Sequence, residues 1–226
     1  KNQSEIDKAM SEKCVYGGKR KGKRECPALG GLICSRCCGE HRGVEINCPP
    51  ECRYFKKHEE FQQSKHSEPY RETWAEQNRD ILEEENRQLI EAIGVLETLI
   101  YYRYRDDTRL TDDKVIDGLK GLENKYKTIE PPGTPADFTA FAHEELQPLL
   151  EKGRFSRDLL REAATRLIEI AEEFSDGSRQ LVQGVVGRIK EDYDLPAEGP
   201  ESRTEEIESL ITTPGQINQG GRGPGP

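Results

Sequence analysis

From Trp74 to Tyr104, apolar residues recur at Trp74, Ile81, Leu82, Leu89, Ile90, Ile93, Leu96, Leu99 and Ile100. Steps of three, four and seven dominate, which is the spacing of one helical face. A second helix is predicted over Val115, Ile116, Leu119, Leu122 and Tyr126, with Thr111 or Asp113 as its cap. Pro131, Pro132, Gly133 and Pro135 then demand a turn. A third helix carries Phe138, Phe141, Leu146, Leu149 and Leu150. Ser156 caps a fourth, with Phe155 placed to staple onto Leu160. Its apolar face continues through Leu167, Ile168, Ala171 and Phe174, and Asp176-Gly177 ends it. A fifth helix follows with Leu181, Val182, Val185, Val186 and Ile189. Each has one apolar face, so the helices pack on each other or on a partner. No internal repeat of fixed period accompanies them.

The chain has 226 residues, of which 33% are hydrophobic and 34% charged. Globular chains average about 25% charged, so a single large core is not expected. The pattern predicts a mainly α fold class, divided into four regions. Residues 1–24 read as a flexible basic arm, because glycine and charge disfavour a packed element. Residues 25–58 read as a cysteine-rich zinc-binding module and 67–193 as an α-helical domain. Residues 194–226 read as a disordered C-terminal tail. From Pro196 to Pro226, 11 of 31 residues are Gly or Pro. The overall charge of -9 is uneven. Residues 1–66 carry 14 Lys/Arg and 9 Asp/Glu, net +5, and the rest is net -14. The cysteine-rich part is thus the basic part. No run approaches the roughly 20 apolar residues of a membrane span. The first thirty residues hold no apolar h-region, so an export signal is not expected.

All 7 cysteines lie between positions 14 and 52. An odd, clustered count argues for metal ligands in a reducing, cytoplasmic setting rather than a disulfide framework. The central stretch reads CPALGGLICSRCCGEHRGVEINCPPEC, from Cys26 to Cys52. Cys34 and Cys37 form C-x2-C, and Cys48 and Cys52 form C-x3-C, with ten residues between the pairs. Two chelating turns joined by one tetrahedral zinc satisfy this spacing. Cys26, Cys38, His41 and Cys14 are further candidates. One zinc choosing among these thiols and two zincs sharing eight ligands both remain open. An iron–sulfur cluster is a third reading, although the spacing matches neither common ferredoxin run. Haem attachment fails, because Cys38 stands where C-x-x-C-H needs histidine.

The same stretch, with the following Arg53-Tyr54-Phe55, resembles the N-terminal motif of a bacterial protein family of uncharacterised function. In that family a short zinc-ribbon-like segment precedes an all-helical region. DDKVIDGLKGLENKYKT, from Asp112 to Thr128, is similar to the family's helical motif. The resemblance implies metal binding by Cys26, Cys34, Cys37, Cys38, Cys48 and Cys52 and a bacterial cytosolic setting. It supplies no catalytic residue.

Other motifs weigh less. Lys19, Arg20, Lys21, Lys23 and Arg24 precede the module, and Tyr54, Phe55, Lys56 and Lys57 follow it. Cations interleaved with aromatics can hold nucleic acid. The plainer reading is a solvated charge run with Tyr54 and Phe55 packed over a small core. His143-Glu144-Glu145 lacks the second histidine of H-E-x-x-H, since position 147 is Gln. His58 and His66 flank the module and read as linker histidines, with an extra metal ligand as the competing account. Tyr101, Tyr102 and Tyr104 with Arg103 and Arg105 are an interface candidate, with core packing the competing account. In the tail, Ile207, Leu210 and Ile211 form a short apolar face suited to a partner groove. No Ser/His/Asp set, paired carboxylates or phosphate loop stands out. The expected function is a non-catalytic zinc-binding interaction or assembly protein with a protein partner. A nucleic-acid- or ribosome-binding factor is the first alternative. A redox or iron–sulfur protein using the surplus cysteines is the second.

Overall fold

The computed structural model describes residues 13–127 and 136–193. It is mainly α, with eight helices and one two-stranded sheet among the described residues. The chain divides into two compact units. One comprises the residues up to Phe61 with Asp106–Arg109, and the other Gln62–Arg105 and the residues from Leu110 onward. The expected turn at 131–135, the tail from 194 and the first twelve residues of the expected arm lie outside the described residues.

In the first unit, β1 (Arg24–Cys26) and β2 (Gly31–Ile33) pair antiparallel, with Cys26 opposite Gly31. Gly30, at φ +63°, closes the hairpin in a conformation that favours glycine. Helix α1 (Ser35–His41) follows directly. Residues 13–24, expected to be a flexible arm, are folded into this unit. The Cys14 N–H donates to the Arg20 carbonyl (2.7 Å), Val15 N–H to Leu32 O (2.9 Å) and Lys23 N–H to Ile33 O (3.0 Å). Cys14 is only 2% exposed, and its burial ties down a segment whose composition argued for solvent.

The second unit is helical. Helix α2 runs Arg53–Gln77, from the last residues of the first unit into the second, and carries both His58 and His66. Gln63, Ser67, Tyr70 and Trp74 are buried at steps of three and four. Two of the four are polar, which is why an apolar count begins this helix too late. The helix expected from Trp74 to Tyr104 is also interrupted. Helix α3 (Arg79–Glu83) and helix α4 (Arg87–Asp106) are separate elements. The buried Asn78 side chain donates to the Trp74 carbonyl (3.0 Å), Glu85 adopts φ +52°, and the Asn86 side chain accepts from Leu89 N–H (3.3 Å). Short amides that bond the backbone locally compete with helix continuation.

Helix α4 is buried on nearly every side and forms the centre, through Leu89, Ile93, Leu96, Leu99, Ile100 and Tyr102. Tyr101 and Tyr104 are buried too, so the tyrosine patch belongs to the core. Helix α5 (Asp112–Lys125) packs on α6 (Asp137–Glu151) and α7 (Arg157–Phe174), and α8 (Gln180–Asp192) completes the unit. Ser156 caps α7 as expected, accepting from Leu159 N–H (3.1 Å). The Thr111 hydroxyl makes no capping bond to α5. Instead the neighbouring Asp112, fully buried, caps a different helix. Its carboxylate accepts from the Leu181 and Val182 amides (3.0 Å each) and from the Ser175 hydroxyl (2.7 Å). Two orphan amides at the start of α8, and the Ser175 hydroxyl, are thereby satisfied from a distant element.

A second buried carboxylate ties α2, α4 and α8 together. Glu97 Oε1 accepts from Tyr70 O–H (2.5 Å) and from Arg188 Nη1 (2.6 Å), and the Arg188 guanidinium lies 4.6 Å from the centre of the Trp74 ring. Burial pushes the Glu97 carboxyl above its usual range, against the pull of Arg188. Removing one partner strands the other in a low dielectric. Glu97→Ala is therefore expected to destabilise the second unit by about 3–5 kcal/mol. Denaturant melts followed by helical circular dichroism check this. A loss below about 1 kcal/mol, the range of an exposed pair, would contradict the role assigned to Glu97.

Candidate metal centre

The hairpin and α1 place the first thiols. Cys34 leaves β2 and serves as the N-cap of α1, where its sulfur accepts from the Cys37 amide (3.4 Å). A C-x2-C pair at a helix start brings both thiols into one turn. The third thiol arrives from the folded basic segment. The Cys14 sulfur accepts from the amides of Gly17 (3.4 Å) and Cys34 (3.3 Å). The sulfurs of Cys14, Cys34 and Cys37 all lie within 4.8 Å of one another. Thiolates about 2.3 Å from a tetrahedral metal stand about 3.8 Å apart, so this trio could hold a metal ion. Gly17 covers it closely, since a Cβ there would come within 3.0 Å of the Cys37 sulfur.

The electrostatics suit cation binding. Burial opposes ionisation of Cys14, but the amides of Gly17, Cys34 and Tyr16 outweigh it and bring the thiol down to about 6. Cys37 is pushed up to about 11, chiefly by its contact with the Cys34 thiol and then by burial. Backbone N–H groups aimed at sulfur favour thiolate, and neighbouring sulfurs resist a second negative charge until a cation arrives.

The spacing leaves open which thiols share a metal; among the described residues, the thiol that stands with those of Cys34 and Cys37 is that of Cys14. Cys14, only an optional ligand in the sequence, is a full member of the trio. Its distance from the main motif hid it, and the V-Y-G-G turn that follows it was the available signal. Cys26, Cys38, Cys48 and Cys52 pack in the same small core with Ile33, Ile46 and Phe55. All seven cysteines are free thiols. His41 lies outside the trio. Its Nδ1 is 3.1 Å from Glu45 and its ring stacks 4.5 Å from that of Tyr16, whose hydroxyl also donates to Glu45.

Lys19, Arg20, Lys21 and Lys23 are exposed around the turn after Cys14, and Arg24 is half-buried over the Tyr54 ring at 4.6 Å. Arg20, Lys21 and Lys23 line a shallow groove with Cys34, Ser35 and Arg36. His143 is half-buried on α6, within 3.2 Å of the Tyr126 hydroxyl and 2.8 Å of the Gln147 amide. Among the described residues, no helix is long and apolar enough to cross a membrane.

Comparison with known proteins matches no family model, no curated protein and no solved structure.

Metal held by thiolates competes with protons. Because the Cys37 proton is bound tightly, apparent metal affinity is expected to fall as pH drops, by on the order of tenfold per unit for each proton displaced. Competition with a metal indicator dye between pH 8 and pH 6 measures the slope. A flat profile would mean that no thiol proton is exchanged for the metal.

Proposed function

We propose that this chain is a non-catalytic, metal-supported interaction protein, with zinc as the ion. The observation that carries the reading is the convergence of Cys14, Cys34 and Cys37. An all-thiol donor set favours a structural zinc over harder ions. Thiols kept free for metal suit a reducing compartment such as the cytoplasm. Among the described residues, the first unit has three buried apolar side chains besides its cysteines, Ile33, Ile46 and Phe55. That is little core for so many residues, so metal binding would supply much of its folding free energy. The helical unit has its own core and would stand without the metal. The exposed apolar residues Val15, Tyr16, Leu29 and Val44 belong to the metal unit and suit a protein partner. Chelation of the full chain is expected to collapse hydrogen-exchange protection across residues 13–61 and leave α4–α8 protected. Equal protection with and without chelator would sink the reading.

The basic groove supports a second reading, a nucleic-acid- or ribosome-binding factor. Arg24 and Arg53 both lie over Tyr54, at 4.6 and 4.7 Å, and extend the cationic surface beside an aromatic ring. Neutralising Lys19, Arg20, Lys21 and Lys23 together is then expected to abolish RNA binding and flatten its salt dependence. RNA binding that withstands both the substitutions and salt would count against it.

A further inference from the structure

We propose that the first unit holds a second metal ion, bound by Cys26, Cys38, Cys48 and Cys52. The inference rests on the metal-binding reading above and divides the seven cysteines between two centres.

The division begins in α1. Cys37 and Cys38 are adjacent, and neighbouring helical residues point about 100° apart, so one ion cannot easily take both. Cys37 turns to Cys34 and Cys14 and is half-buried. Cys38 points inward and is 7% exposed. What it meets comes from three other places. Cys26 ends β1, 7% exposed, with its carbonyl held by Leu29 N–H at 3.2 Å. Cys48 lies in the loop after α1, 6% exposed. Cys52 is half-buried in the turn entering α2, its amide donating to Pro49 O at 3.0 Å. Cys26, Cys38 and Cys48 are buried together in one small core, with Cys52 packed against it. Four elements thus deliver four thiols to one small region.

The loop between Cys38 and Cys48 is built to make this meeting. His41 O accepts from Ile46 N–H (2.9 Å), Gly43 N–H donates to Ile46 O (3.0 Å), and Arg42 Nη1 donates to Tyr54 O (2.8 Å). These bonds fold residues 41–46 back and bring Cys48 toward the helix. Among the described residues only the Cys14 trio has all its ligand atoms within 4.8 Å, so the quartet is the wider of the two. Rotation of the four thiols about χ1 is the movement that binding would require, bringing each sulfur to a common point about 2.3 Å away. Three buried thiols and a half-buried one, without disulfides and next to Ile33, Ile46 and Phe55, make poor core on their own. A soft divalent cation converts them into a cross-link of four chain segments. The chemical class is therefore a four-thiolate zinc site, coordinately saturated by this chain alone. Each thiol yields its proton to solvent on binding, and no oxidant or reductant is involved.

The test is metal content of the full chain, purified without added metal, by elemental analysis and native mass spectrometry. Two zinc ions per chain are expected, falling to one in Cys48→Ser and to one in Cys14→Ser. One ion in the wild-type chain, or two retained by Cys48→Ser, would overturn the second site and leave the metal-binding reading intact. No metal at all would overturn that reading itself. If the serine variants do not fold, alkylation of the native two-zinc protein during stepwise chelation gives the same answer. Peptide mapping should show Cys26, Cys38, Cys48 and Cys52 becoming reactive together, as a group separate from Cys14, Cys34 and Cys37. Cys48 becoming reactive together with Cys34 and Cys37 would overturn the partition.

Discussion

Cys14, Cys34 and Cys37 meet because a backbone arrangement forces them together, and the first unit depends on that meeting. A turn returns the chain past Leu32, the β1–β2 hairpin fixes the distance, and the start of α1 presents the last two thiols. Few apolar side chains support these contacts. The amides of Gly17 and Cys34 point at the Cys14 sulfur, so the polar backbone is satisfied by sulfur where a larger domain would use a sheet or solvent. A small unit organised in this way has little burial to stabilise it, and a cross-link between the thiols would add what burial does not.

The second unit works by a different rule. It has a continuous apolar core around α4, and its two buried carboxylates each accept several donors from distant elements. Glu97 and Asp112 are costly to bury alone. With Arg188 and Tyr70 around one, and the α8 amides and Ser175 around the other, they specify which helix packs where. Close approach adds to this specificity. A Cβ on Gly187 would come within 2.6 Å of the Gln63 carbonyl oxygen, so α8 meets α2 backbone to backbone in a way that a larger residue would prevent.

The proposed function rests on the first unit more than on the second. Its basic turn, exposed apolar residues and thiol cluster all lie on the same short stretch of chain. A metal ion there would set the shape of the surface offered to a partner, and its loss would remove that surface. Chelation or thiol oxidation would then act on binding without touching the helical core.

The residues alone were enough to predict a mainly α chain, a cysteine-rich unit near its start, four of the helices with useful boundaries and the Ser156 cap. These are local features, written in periods of three and four, in proline and glycine, and in C-x2-C spacing. The break between Trp74 and Leu89 was not legible, because it depends on Asn78 and Asn86 bonding backbone that an apolar count ignores. The early start of α2 was missed for a related reason, since buried Gln63 and Ser67 look like surface residues until their partners are known. Spacing also marked every cysteine as a ligand candidate without saying which belong together. Only the tertiary fold separates Cys37 from Cys38 and brings Cys14 across twenty residues to Cys34. Chain proximity limits which thiols can share a turn. Which sulfurs share a space is decided by the hairpin, the helix face and the buried amides that hold them.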